Sequence, residues 1–151
     1  MKEDILHQIG SISRALDSIA NIEFKEMDLS RGQYLYLVRI KQNPGIISDH
    51  LAQILNVDRT SAFRSISKLE KQNLITKQKD DENKKIRHLY TTQLGEQLAK
   101  KIEAENAYSN QKVLSGLNKS QIQQLKEILA TVEKNAKTEW QLVKNGGKRE
   151  Y

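Results

Sequence analysis

The sequence predicts a mainly α-helical fold with one small β-hairpin. The chain of 151 residues contains a single proline and seven glycines, so few residues interrupt helices. Apolar residues recur at intervals of three and four over most of the chain, which is the spacing of amphipathic helices. Strand character is confined to residues 75–91. A chain of this length is expected to fold as one domain, here over 1–151.

The first predicted helix spans about residues 4–22, and one stripe of its surface is apolar. The second helix is predicted to begin where Ser30 and Gln33 have the spacing of a capping box, while Leu29 and Tyr34 have that of a hydrophobic staple. It ends at the turn residues 43–45. The stripe of the first helix consists of Ile5, Ile9, Ile12, Leu16 and Ile19.

A third and a fourth helix follow, joined by a tight turn. The third runs to about Leu55, and Asn56 is one of the few residue types that accept a left-handed turn conformation. Asp58 is placed to cap the fourth helix. We expect this helix to bury Ala62, Ile66 and Leu69, and to expose on its other face and first turn Arg59, Thr60, Ser61, Arg64, Ser65 and Lys68.

A hairpin is predicted from Ile75 to Lys79 and from Ile86 to Thr91, with a wholly polar tip between the strands. The segment 58–87 contains nine basic and five acidic residues, an excess of four against six for the whole chain. The charge is therefore concentrated on the fourth helix and this hairpin. The cations of the hairpin expected to contact a polyanion are Lys84, Lys85 and Arg87.

Two long helices complete the chain. One is predicted over about residues 93–115, and Asn118 with Gln121 repeats the capping pattern at the start of the last helix. The apolar seams at both ends are longer than a core of residues 30–92 can cover. These apolar surfaces either pack on one another within the chain or form the interface of a homodimer. We favour the homodimer. Its predicted interface residues are Ile5, Ile9, Ile12, Ile122, Leu125, Leu129 and Val132.

Composition restricts the class of function. The net charge of +6 favours an acidic partner such as nucleic acid, and the absence of cysteine excludes disulfides and thiolate sites. No glycine-rich phosphate loop, nucleophile elbow or HExxH motif is present, so we predict no enzyme and no cofactor. His7, His50 and His88 are too dispersed to predict a metal site. Apolar runs are short and the N-terminus is polar, which favours the cytoplasm and no membrane contact.

The exposed residue types of the fourth helix suit double-stranded DNA. Arginine bonds guanine with a two-pronged fork, and short hydroxyl side chains bond bases or phosphates. Lysines at a hairpin tip contact flanking phosphates or enter a minor groove. The alternative is an ordinary solvated surface, as most exposed helical faces are.

The chain contains, in this order, the segments LAQILNVDRTS (51–61), KLEKQNLI (68–75), DDENKK (80–85) and TTQLG (91–95). In their order and spacing these segments resemble the MarR-type winged helix-turn-helix regulators of bacteria and archaea. The resemblance implies a winged helix-turn-helix core over about 30–92 and dimerisation helices over about 4–22 and 93–143. It also implies a homodimeric repressor that binds a pseudo-palindromic operator and leaves it when an effector binds.

Some positions depart from the pattern of that family. Ile47 replaces a polar helix cap, Phe63 replaces a small polar residue of the recognition helix, and lysines replace arginines at the hairpin tip. Asn56 and Asn73 stand where glycine is frequent. Phe63 therefore predicts an altered base preference, and the lysines predict weaker insertion into a minor groove.

Family members often bind small aromatic or phenolic effectors, and the residues that this resemblance offers for such a site are His7, Arg14, Tyr34 and Tyr36. Tyrosines at helical spacing are more often core residues, and that alternative stays open. A second function also stays open, namely a helical interaction or ligand-sensing protein that does not read DNA sequence.

Overall fold

The computed structural model describes residues 4–29 and 32–151. Over these residues the chain forms six α-helices, one short 3-10 helix at Lys25–Met27 and three strands. The predicted fold class, mainly helical with a small β-hairpin, is confirmed. The helices are α1 Ile5–Glu23, α2 Gln33–Gln42, α3 Ser48–Leu55, α4 Arg59–Lys71, α5 Gln93–Val113 and α6 Lys119–Lys144, and the strands are β1 Ile46–Ile47, β2 Ile75–Lys79 and β3 Arg87–Thr91.

The three strands form one antiparallel sheet in the order β1-β3-β2. β2 and β3 form the predicted hairpin. We call this hairpin, including its tip at residues 80–86, the wing. The expectation that strands are confined to 75–91 was wrong, because β1 pairs with β3 through Ile46 opposite Leu89 and Ile47 opposite His88. Two residues cannot display a period of two, so the sequence pattern carried no signal for this strand.

The hydrophobic core lies between α2, α3, α4, the sheet and the first half of α5. The predicted buried stripe of α4 is confirmed, since Ala62, Ile66 and Leu69 are at most 1% exposed. Each large side chain buried to this degree stabilises the fold by about 1.5 to 3 kcal/mol. The core therefore fixes α4 by one face and leaves its other face to solvent. Its largest fully buried members are Leu37, Ile40, Leu51, Ile66, Leu69, Ile75, Leu89 and Ile102.

The predicted turn and caps around α4 are present. Asn56 adopts a left-handed conformation with φ of 53°, and the Asp58 side chain accepts a hydrogen bond from the Ser61 amide at 3.2 Å. The Ser61 hydroxyl, followed by this backbone amide, lowers the pKa of Asp58. At the start of α6, Asn118 and Gln121 form the expected capping box. The capping role expected of Ser30 lies outside the described residues.

A close junction joins the wing to α5. Thr92 caps α5 by accepting a hydrogen bond from the Gly95 amide at 3.0 Å, and its hydroxyl donates to the Asn73 carbonyl oxygen at 2.7 Å. A Cβ atom on Gly95 would lie 1.9 Å from the Leu74 carbonyl oxygen, so only glycine fits there. The turn after α4 and the N-terminal end of α5 are therefore in direct contact.

The outer helices are poorly covered by the rest of the chain. Ala20 is the one buried residue of α1, and α6 has no buried residue. Ile5, Ile12 and Leu129, from the predicted seams, are 60%, 50% and 42% exposed. The described part of the chain thus does not bury these apolar faces by itself. None of its helices combines the length and the apolar character needed to span a bilayer.

Candidate nucleic-acid interface

The solvent-facing side of α4 carries the polar side chains that the sequence predicted there. Arg59, Thr60, Ser61 and Arg64 are exposed, while Lys68 is half-buried. The face between Arg64 and Lys68 is therefore open to solvent at Arg64 and partly covered at Lys68. Arg64 is exposed and has no ion pair or hydrogen bond within the described residues, so its guanidinium group is free to turn towards a ligand.

Ser65 is less accessible than expected. It is half-buried, and it lies close enough to the hydroxyl of Tyr36 on α2 to lower the pKa of that group. Burial, the dominant effect, raises the pKa of Tyr36. Tyr36 is 4% exposed, so it lies in the core behind α4. Ser65 therefore faces α2 rather than open solvent, and the sequence pattern could not distinguish this placement from surface exposure.

Arg59 is held by a neighbouring acid. Its Nη2 lies 2.9 Å from Oδ2 of Asp49 on α3, and both side chains are more than half exposed. An exposed pair of this kind contributes between zero and about 1 kcal/mol, so it orients Arg59 without locking it. Asp49 was not predicted as part of the interface.

The wing tip presents Lys84 and Lys85 to solvent. Arg87 behaves differently, because its guanidinium group donates hydrogen bonds to the backbone carbonyl oxygens of Lys84 and Ile86. Arg87 is half-buried and stabilises the turn that carries the two lysines. Of the three predicted wing cations, two therefore extend into solvent and one supports them.

His88 links the base of the wing to the preceding loop. Its Nδ1 donates to the Gly45 carbonyl oxygen at 2.7 Å, and its Nε2 lies 2.7 Å from Oδ1 of Asp80. Both nitrogens face oxygen acceptors, which the doubly protonated imidazolium satisfies. The bond to Asp80, followed by that to Gly45, raises the pKa of His88. The bond from His88 and two backbone amides lower the pKa of Asp80 to about 2.

A second link connects the wing to α4 directly. Lys77 Nζ on β2 lies 2.9 Å from Glu70 Oε2 and 5.6 Å from the centre of the Phe63 ring. Phe63 and the wing enclose an open cleft of about 270 Å³. The cleft is lined by Ile47, Ser48, Asp49, Phe63, Lys77, Lys85, Ile86 and Arg87.

A separate cleft of about 230 Å³ lies between α1, α2 and α5. Of the four described residues expected to line an effector site, Tyr34 alone lines it, and its hydroxyl donates to Asp17 at 3.4 Å. His7 and Arg14 lie on the exposed surface of α1, and Tyr36 lies in the core. The described residues contain no cluster of three potential metal ligands.

Comparison with known proteins gives a consistent result. Residues 29–86 match the family model described as the MarR family. A relative from Bacillus subtilis (strain 168), the uncharacterized HTH-type transcriptional regulator YybA, is 49% identical over 148 residues, which cover 98% of this chain and 99% of the relative.

Two solved structures from Listeria monocytogenes are similarly close. An uncharacterized SlyA-like transcription regulator is 49% identical with a TM-score of 0.93, and the match covers 99% of both chains. A MarR family transcriptional regulator complexed with 26mer DNA is also 49% identical, with a TM-score of 0.94 and the same coverage. These relatives are transcriptional regulators and not enzymes, as the sequence predicted. On this evidence the chain belongs to the MarR family of transcriptional regulators.

Proposed function

We propose that this protein is a cytoplasmic, homodimeric regulator that binds double-stranded DNA at a pseudo-palindromic operator and represses transcription until an effector releases it. The observation that carries the proposal is the free polar face of α4 with the wing lysines beside it. α4, which we call the recognition helix, would enter a major groove, and the wing would contact the flanking backbone. A related regulator bound to 26mer DNA supports this assignment.

The proposed contacts divide into two kinds. Arg64, Arg59 and the hydroxyls of the first turn are the candidates for reading base edges. Lys84, Lys85 and Lys68 are candidates for phosphate contacts, which add affinity without sequence information. Ser65 and Arg87 contribute by positioning the recognition helix and the wing tip.

The homodimer follows from the uncovered apolar seams of α1 and α6. A second copy related by a two-fold axis would cover them with the same residues, Ile5, Ile9, Ile12, Ile122, Leu125, Leu129 and Val132. Two recognition helices would then face successive major grooves about 34 to 36 Å apart.

Effector release would use the cleft beside Tyr34. A small aromatic or phenolic compound bound between α1, α2 and α5 would change the angle between the dimerisation helices and the core, and with it the distance between the two recognition helices. An aromatic ligand would meet the ring of Tyr34 there, which packs against Phe24 with ring centroids 5.9 Å apart.

Selection of bound duplexes from a random pool tests the proposal. We expect enrichment of a site with two inverted half-sites, together with binding that weakens steeply as salt increases. A double variant, Arg59→Ala with Arg64→Ala, should lose the enrichment. A protein that binds all duplexes equally, or none, would instead support the alternative of a helical interaction or ligand-sensing protein.

A further inference from the structure

Phe63 is an exposed aromatic residue on the polar face of the recognition helix. Its side chain is 63% exposed. Of its neighbours in sequence, the apolar Ala62 is buried and the charged Arg64 is exposed. Phenylalanine has no polar atom that could bond water. Such exposure is unfavourable in the isolated protein, and packing in the core does not explain it.

The helical geometry places Phe63 among the proposed base-reading side chains. It follows Thr60 by three residues and Arg59 by four, so the three side chains are neighbours on one face. On its other side Phe63 borders the cleft in front of the wing. It would therefore lie at the edge of the major groove nearest the wing.

The contact with Lys77 does not account for Phe63 either. The ammonium group lies 5.6 Å from the ring centre, at the outer limit of a cation–π contact, and it is already paired with Glu70 at 2.9 Å. This arrangement holds Lys77 beside the ring but leaves the outer face of the ring open. An apolar surface remains available to a ligand approaching from the DNA side.

Only one apolar group projects into the major groove of unmodified DNA, the C5-methyl group of thymine. On the basis of the proposed function, we infer that Phe63 is a specificity-determining residue that packs against a thymine methyl group in each half-site. Cytosine, which lacks this methyl group, would leave the ring exposed to water. The ring would thus favour thymine at one position without forming any hydrogen bond.

Replacement of thymine by deoxyuridine tests this inference, because it removes the methyl group and keeps every hydrogen-bonding atom. In a duplex selected by the protein, each thymine of a half-site is replaced in turn, and the dissociation constant is measured. We expect one position at which the loss is about four-fold per half-site, the effect of exposing one methyl-sized apolar group. Phe63→Ala should bind the two duplexes equally at that position.

A gain-of-contact duplex gives the complementary measurement. Replacing the same thymine–adenine pair by cytosine–guanine should weaken binding, and 5-methylcytosine should recover about four-fold of the loss. This recovery should be absent in Phe63→Ala and partly retained in Phe63→Leu, which keeps an apolar side chain. Since Phe63 is exposed, the melting temperatures of the variants should match that of the wild type.

Thr60→Ser is the matched control, because Thr60 offers the other methyl group on this face and serine keeps its hydroxyl. The inference would be overturned if Phe63→Ala still distinguished thymine from deoxyuridine and Thr60→Ser no longer did. It would also be overturned by wild-type protein that binds its selected duplex but is insensitive to deoxyuridine at every position. Failure to select any duplex is a distinct result, which rejects the proposed function and this inference with it.

Discussion

The three arginines of the proposed interface differ in what their guanidinium groups already contact. Arg59 is paired with Asp49 at 2.9 Å, and Arg87 is folded onto carbonyl oxygens of the wing. Arg64 has no such partner in the part of the chain that the structure describes. It is also among the residues of the recognition helix farthest from the buried stripe. Arg64 is therefore the side chain that can form a two-pronged contact with guanine at the smallest cost.

Replacing Arg64 by alanine tests this role. We expect Arg64→Ala to weaken binding to the selected operator by about 1 to 3 kcal/mol and to relax the preference at a single base position. Arg64→Lys is the matched control, since it keeps the charge but loses the planar fork. It should also lose the base preference. Equal weakening on every sequence would show that Arg64 contacts a phosphate instead.

The hydrogen bonds of His88 should make the stability of the fold depend on pH. The raised pKa of His88 means that the folded protein binds this proton more tightly than the unfolded chain does. The stabilisation is therefore complete below the ordinary histidine value of 6.5 and is lost as pH rises through the raised value. Asp80, with a pKa of about 2, stays ionised over that range. Asp81 also favours the protonated His88.

We accordingly predict that the protein loses stability as pH rises above about 6.5. The free energy of unfolding, measured at closely spaced pH values, should fall in wild type and fall less in His88→Gln. His50→Gln, which removes an exposed histidine outside this network, is the control and should keep the wild-type slope. Identical slopes in wild type and His88→Gln would rule out the proton-dependent anchor.

At the scale of elements, an ion pair and a hydrogen bond connect the wing and α5 to the recognition helix and the turn after it. Lys77 joins β2 to α4 through Glu70, and the Thr92 hydroxyl joins α5 to the end of the turn after α4 at Asn73. The charged tip projects beyond these contacts. Mutations at the tip should therefore change phosphate contacts without disturbing the recognition helix.

Lys85→Ala should weaken binding to all duplexes by a similar factor. Loss of one phosphate contact is expected to reduce the slope of log affinity against log salt by about 0.9. Lys101→Ala removes the same charge from an exposed position on α5 and should leave the slope unchanged. If Lys85→Ala also retains the wild-type slope, the wing tip does not contact the backbone.

Local signals in the sequence were sufficient to predict most helices and strands, but they could not predict the contacts between these elements. The stripe of α4, the cap at Asp58 and the two hairpin strands follow from spacing and residue type within a few positions. The pairing of β1 with β3 and the bond from His88 to the Gly45 carbonyl oxygen join residues far apart in the chain. No periodic pattern reports such contacts. The sequence therefore predicted which residues belong to the candidate site. The contacts made by Ser65, Arg87 and His88 became known only from the structure.

At the scale of the whole molecule, the single chain has too little core for its length. The core closes around the helix-turn-helix unit and the sheet, whereas α6 buries no side chain. Between α5 and α6 runs an open apolar groove of about 620 Å³ that includes Ile122, Leu125 and Leu129. Two such grooves facing each other, with α1 of each copy alongside, would bury the predicted seams.

Placing charge in this groove should separate the two copies. We expect Leu125→Asp combined with Leu129→Asp to give a monomer, because two buried carboxylates per chain would oppose association. Operator binding should be lost with the dimer, since one recognition helix reaches only one half-site. Sedimentation and operator affinity measure both effects. Gln124→Asp with Thr131→Asp puts the same charge on the opposite face of α6 and should remain dimeric, whereas a dimer that survives in the groove variant would refute this interface.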